Sequence, residues 1–191
     1  MSQRRIEVEA LRDAMLAISG QLDVSPAKGS EVQKLPSGSE LKNLRNLYSI
    51  KTSSNRRSVY LPILRGHVPA ALETFDFADP SLVKGRRDVT TVATQALFMM
   101  NSPFVMNQSR LAAQRLLRET GLDDASRVQL AYQRMLTRPA TPAEEQRALE
   151  YIAQASKETN KKLPGVRNQK MVAWAVFCQA LFACAEFRYL N

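Results

Sequence analysis

The run MVAWAVFCQALFAC, residues 171–184, constrains the fold more than any other part of the chain. It is apolar on nearly every side of a helix, with Gln179 the one interruption, and it is shorter than the roughly 20 residues a bilayer span needs. Such a helix cannot present a face to water, so a helix predicted over 168–185 belongs at the centre of a bundle, carrying the only tryptophan, Trp174, into the core. Cys178 and Cys184 share this run. Six residues at roughly 100° each place them on different faces, where a disulfide would break the helix. They read as reduced core thiols.

Other elements are set by local signals. Val8, Leu11, Met15 and Ile18 recur at helical spacing and Gly20 supplies a stop, predicting a helix over 4–19 within an N-terminal unit 1–23. Residues 24–40, VSPAKGSEVQKLPSGSE, are too poor in apolar side chains to offset their ordering entropy and read as a flexible linker. The remainder, 41–191, is expected to form one helical core domain. It begins with a short helical or irregular segment over 41–50. Residues 57–64, RSVYLPIL, are the strand candidate, with Pro62 confining it to a sheet edge. From Thr91 onward the pattern is helical. Ser102-Pro103 opens one helix and Gly121 closes it; Asp123 or Asp124 caps the next. The capping box Thr141-Pro-Ala-Glu144 opens another, running to about residue 158. The fold class is mostly α, an irregular helical bundle with a small β element near 57–64.

The chain carries 27 Lys+Arg against 18 Asp+Glu, a formal charge of +9. The excess is spread along the chain, with 10 basic and 6 acidic residues in 1–60, 7 and 5 in 61–120, and 10 and 7 in 121–191. A nucleic-acid binder more often concentrates it in one arm or helix among stacking aromatics, so nucleic acid is not the expected partner. His67 is the only histidine, and no Cys-x-x-Cys-His occurs. Sites needing several histidines are therefore excluded, and no c-type haem attaches covalently here. No cofactor or metal site is expected in this chain, and His67, in Arg-Gly-His-Val-Pro, reads as a turn residue.

Gly85 to Val105, GRRDVTTVATQALFMMNSPFV, is the densest stretch of unlike demands. It contains no nucleophile–base pair and no phosphate loop. Arg86-Arg87, with Arg56-Arg57, Thr90 and Thr91, could fork around an anion at a helix start. The plainer reading pairs these arginines with Asp76, Asp79 or Asp88 as loop anchors. Glu73, Asp76 and Asp79 form the only carboxylate cluster mixed with aromatics. Two of them could act as general acid and base or hold a hard cation; alternatively they shape a turn around Asp79-Pro80. Phe98-Met99-Met100 and Phe104-Val105-Met106 could line a groove for a partner helix, but read more simply as core.

The stretches RRSVYLPILR (56–65), ALETFDFADPS (71–81), GRRDVTTVATQALFMMNSPFV (85–105), AYQRMLTRPATPAEEQRALEYI (131–152) and CQALFACAEFRYLN (178–191) resemble a C-terminal domain of unknown function, the PSD domain. It closes large planctomycete-type proteins that bear an upstream cytochrome-c-like domain. Residues 4–23 resemble an interior stretch of the same domain, so the likeness covers all but 24–40. Family members tend to carry proline where Ala93 stands. The resemblance implies that this chain corresponds to the last part of the domain, with partners encoded upstream in the same or a split protein. It also implies export, if the full architecture is present. It brings no catalytic residues with it. The expectation is a non-catalytic interaction or structural module; an accessory or hydrolytic role in polysaccharide breakdown, with Glu73, Asp76 and Asp79 as acids, is the alternative.

Overall fold

A computed structural model of the chain describes residues 4–26, 54–61, 63, 68–78, 81–83, 85–162 and 168–190. In chain order it contains β1 (Arg4–Arg5), α1 (Val8–Ser19), α2 (Ala70–Thr74), α3 (Ala93–Asn101), α4 (Pro103–Arg118), α5 (Asp124–Leu136), α6 (Pro142–Lys162), α7 (Gln169–Ala183), α8 (Ala185–Arg188) and β2 (Tyr189–Leu190). The architecture is an irregular, mostly helical bundle with one small antiparallel sheet.

Helix α7 is the axis, packed by α4, α6, α3 and α5. Trp174 is fully buried, its ring edge-on to Phe177 at 5.7 Å between centroids. Cys178 is buried and Cys184 half-buried, both as free thiols. Burial pushes the Cys178 thiol up to about 12. The last helix does not run unbroken to residue 185, because Cys184 turns extended at ψ 156. That break swings Phe187 back onto Phe182, with ring centroids 5.0 Å apart, and so recovers a buried aromatic pair.

Several helix ends follow the local chemistry. Gly20 closes α1 in the left-handed region at φ 75, where a side chain would be strained. The Arg115 guanidinium then donates to the carbonyls of Ala17 and Ile18, at 3.1 Å each. Ser102 precedes Pro103 at the start of α4. Asp123 accepts from the Ser126 amide at 2.8 Å. In the Thr141 box the Glu144 carboxylate accepts from the Thr141 amide at 2.8 Å while the Thr141 hydroxyl accepts from the Glu144 amide at 3.3 Å. Asn168 caps α7 by accepting from Met171.

Three expectations need correction. The described residues of 57–64 carry no strand, and the antiparallel sheet lies elsewhere. It joins the two ends of the chain, Arg4 opposite Leu190 and Arg5 opposite Tyr189. In consequence Arg4 and Arg5 leave the predicted first helix, which starts at Val8. Residues Ser58–Tyr60 form one 3-10 turn instead of a strand. The cause is tertiary: Asp13 accepts from both the amide and the hydroxyl of Ser58, at 2.8 and 2.7 Å. Arg12, buried, donates to the Ser58 hydroxyl at 3.1 Å, to the Arg56 carbonyl at 3.0 Å and to the Ser54 carbonyl. These bonds satisfy the backbone without a partner strand. The linker over 24–40, beyond its first three residues, and the segment 41–50 lie outside the described residues.

Candidate functional site

Helix α1 and the strand before it fasten residues 54–60, Phe75, Asp76, Arg87 and Thr90 to the bundle. Arg5, with a side chain only 6% exposed, donates to Asp76 Oδ2 at 2.7 Å, to the Phe75 carbonyl at 3.2 Å and to the Thr90 carbonyl. Asp76 also accepts from the Thr90 amide at 2.8 Å and from its hydroxyl at 2.8 and 3.0 Å. Every oxygen of this carboxylate thus faces a donor. Desolvation pushes the Asp76 pKa up, and the hydrogen bonds from Thr90 and Arg5 outweigh it, leaving the carboxyl below its ordinary range. Asp76 itself is held at φ 59, a left-handed conformation that aspartate tolerates better than most residues. This knot ties Phe75, Asp76 and Thr90 to the N-terminal strand.

Arg87 finds its carboxylates on the segment that leads into and opens α1. It forks onto Glu9 at 2.7 and 2.8 Å, reaches Glu7 at 3.1 Å, and lies over the Phe77 ring at 5.1 Å. Burial opposes ionisation of Glu9, but the Arg87 fork holds its pKa below the ordinary value; Glu9 in turn raises that of Arg87. Arg12 lies over the Phe104 ring at 5.6 Å, and burial lowers its pKa against the pull of Asp13. A second clamp joins the far side of the bundle. Arg138 holds Glu144 and Glu186, each through two bonds of 2.5 to 2.9 Å. The side chain of Arg138 drives the Glu144 carboxyl down to about 2.

The remaining sequence candidates are dispersed. Glu73 is exposed on α2, and Asp79 and His67 fall outside the described residues. Arg56 pairs with Asp23 at 3.7 Å across a lone parallel bridge, while Arg57 and Arg86 are exposed. The Thr91 hydroxyl sits 3.1 Å from that of Tyr189 and ties the start of α3 to the terminal sheet. Among the described residues, no three His, Cys, Asp or Glu side chains stand together to share a metal ion, and no helix is long and apolar enough to cross a membrane.

The core reading of the methionine-rich stretch holds on one side only. Met99 and Val105 are buried, but Met100 and Met106 are 60% and 53% exposed. On α3 the exposed residues Ala93, Ala96, Leu97 and Met100 recur three, four and seven apart, forming an apolar stripe turned to solvent. Val89 and Val92 extend it toward the N-terminus. At the other end the Gln179 amide of α7 donates to the Met99 and Met100 carbonyls, at 3.3 and 2.7 Å. That places the exposed Val176 and Ala180 of α7 beside the stripe. Neither α3 nor residues 171–185 contain a charged side chain.

Fold and surface define a mostly helical domain with a stapled N-terminal helix and, among the described residues, an exposed apolar stripe on α3. The chain belongs to the PSD1 family, proteins of unknown function (DUF1553), whose model matches residues 1–152. Comparison with curated proteins and with solved structures finds no match.

Proposed function

We propose that the chain is a non-catalytic helical interaction module of a larger protein, docking onto domains encoded upstream in the same or a split polypeptide. On the family resemblance, that larger protein is one bearing a cytochrome-c-like domain. The observation that carries this reading is the outer face of α3. Leu97 and Met100 are more than half exposed on a helix that carries no charged side chain and offers water only Thr94 and Asn101 as polar groups. A surface helix of a self-sufficient domain normally turns charged or polar residues outward, and contiguous exposed apolar surface marks an interaction site. Of the carboxylates proposed as acids, Asp76 is engaged by Arg5 and Thr90.

The test is to co-express the chain with the segment encoded immediately upstream and measure co-purification and thermal stability. Association is expected, with stabilisation of about 2.7 kcal/mol at a hundredfold excess over the dissociation constant. Failure to associate, together with hydrolysis of a polysaccharide by the isolated chain that Asp76→Asn abolishes, would overturn the module in favour of the enzyme.

A further inference from the structure

Helix α3 is held differently at its two ends. Its second half is packed from inside: Met99 is buried, Phe98 lies edge-on to Phe75 at 5.8 Å between ring centroids, and Gln179 binds the Met99 and Met100 carbonyls. Its first turn leans on polar bonds instead. Val92, the residue ahead of it, offers no side-chain cap, so the turn gains no end support from its own N-cap. The buried side chain there is Gln95, whose amide nitrogen donates to the Thr90 carbonyl at 3.1 Å. Thr90 is fixed in turn from elsewhere: its carbonyl accepts from Arg5, and its amide and hydroxyl donate to Asp76. The Thr91 hydroxyl meets that of Tyr189. Arg5 and Tyr189 stand opposite each other in the terminal ladder. The strands that join the two ends of the chain therefore carry the two side chains that grip the start of α3.

We propose that the terminal ladder is a clasp on the docking helix. While Arg4–Arg5 pairs with Tyr189–Leu190, Thr90 and Thr91 are held and the first turn of α3 is formed. When the ladder opens, that turn frays and the apolar stripe loses Ala93 and Leu97. The inference rests on the interaction-module reading and adds how its face is regulated. The clasp is the part of the fold most ready to give: the ladder is two residues long on each side, too small to be stable alone. Thr90 and Thr91 are exposed, so water competes for their bonds. Arg5 couples the ladder to α3. Its guanidinium spans Asp76, the Phe75 carbonyl and the Thr90 carbonyl at once, and strand β1 cannot leave without breaking all three. The coupling is reciprocal. A partner seated on the α3 stripe tightens the ladder, and a partner that draws β1 away from β2 dissolves the face.

The experiment is amide hydrogen exchange, followed by nuclear magnetic resonance on the full chain, at Leu97 and Phe98, whose amides bond back to Ala93 and Thr94 in an α-helix. Arg5→Lys keeps a charge for Asp76 but cannot fork onto two carbonyls as well. Tyr189→Phe removes only the hydroxyl that faces Thr91, so this variant keeps the wild-type fold. Both should speed exchange at the two amides, Tyr189→Phe by about two- to tenfold, the effect of losing one hydrogen bond. Arg138→Gln is the control. It opens the clamp on the far side of the bundle and should lower the melting temperature, yet leave Leu97 and Phe98 at wild-type rates, because local opening does not follow global stability. Unchanged rates in both clasp variants, or equal acceleration in Arg138→Gln, would overturn the proposal. The Ile6 amide closes the ladder by donating to the Arg188 carbonyl at 2.8 Å. With the upstream segment bound it should exchange more slowly, and Arg5→Lys should weaken that binding. A bound segment that leaves Ile6 unmoved would overturn the proposal too. If no segment binds while the clasp variants still loosen Leu97 and Phe98, the clasp stands and the docking reading falls.

Discussion

Replacing Trp174 measures how much the bundle depends on its axis. The side chain is fully buried, with its ring edge against Phe177. Trp174→Ala removes the transfer energy of an indole and leaves a cavity, a combined cost of about 3–5 kcal/mol. For a chain of this length, each kcal/mol lowers the melting temperature by about 2–4 °C, so the variant should melt about 6–20 °C below wild type. Trp174→Phe separates packing from polarity. Among the described residues the indole Nε1–H meets no acceptor, and a buried unpaired donor costs about 1–3 kcal/mol. Phenylalanine gives up part of the ring contact but relieves that cost, so its net effect should stay within about 1.5 kcal/mol. Urea titration followed by circular dichroism at 222 nm reports both variants, whereas fluorescence would lose its only tryptophan. A loss below about 1 kcal/mol for Trp174→Ala would refute the central placement of α7. Equal losses for the two variants would show that the indole N–H has a partner.

Other consequences follow from the clamps and thiols. Arg87→Ala should destabilise by about 1 kcal/mol, as a partly exposed ion pair does, and by the same amount with or without sulfate. If sulfate stabilised only the wild type, Arg87 would belong to an anion site. Glu144 ionises more readily folded than unfolded, its pKa lowered from 4.5 to about 2. Its contribution is therefore present above pH 4.5 and lost as the pH falls toward 2. Urea titrations over that range should show a shallower decline in Glu144→Gln; parallel curves would contradict the Arg138 clamp. Cys178, its thiol raised by burial, should resist a disulfide reagent in the native protein and react only after unfolding. Rapid native modification of Cys178 would place it outside the core.

What could be read from the sequence was what neighbouring residues decide. The Thr141–Glu144 box, the Asp123 cap, the Gly20 stop and the apolar helix around Trp174 are all written within a few positions. What could not be read depends on distant partners. Asp76 looked like a candidate acid because nothing nearby showed that Arg5, 71 residues away, would occupy it. Arg87 sat beside plausible local carboxylates yet reached Glu9, 78 residues distant. The Val59–Tyr60 pair favours a strand by propensity, but Asp13 and Arg12 take the backbone groups that a strand would have used. The terminal sheet is two residues long on each side, too short to leave an alternating pattern. On α3 the sequence ATQALFMMN is apolar around most of its circumference. Periodicity could not say that Met99 goes in and Met100 goes out, so the groove and core readings of this stretch could not be separated from the sequence.

The most direct test of the interaction face is a methyl spectrum of the chain with its methionines labelled at the terminal carbon, recorded alone and with the upstream segment. The docking account predicts that the signals of Met100 and Met106 shift or broaden on binding, while those of the buried Met15, Met99 and Met135 stay near their free positions. Perturbation elsewhere with Met100 and Met106 unmoved, or no change at saturating partner, would contradict it.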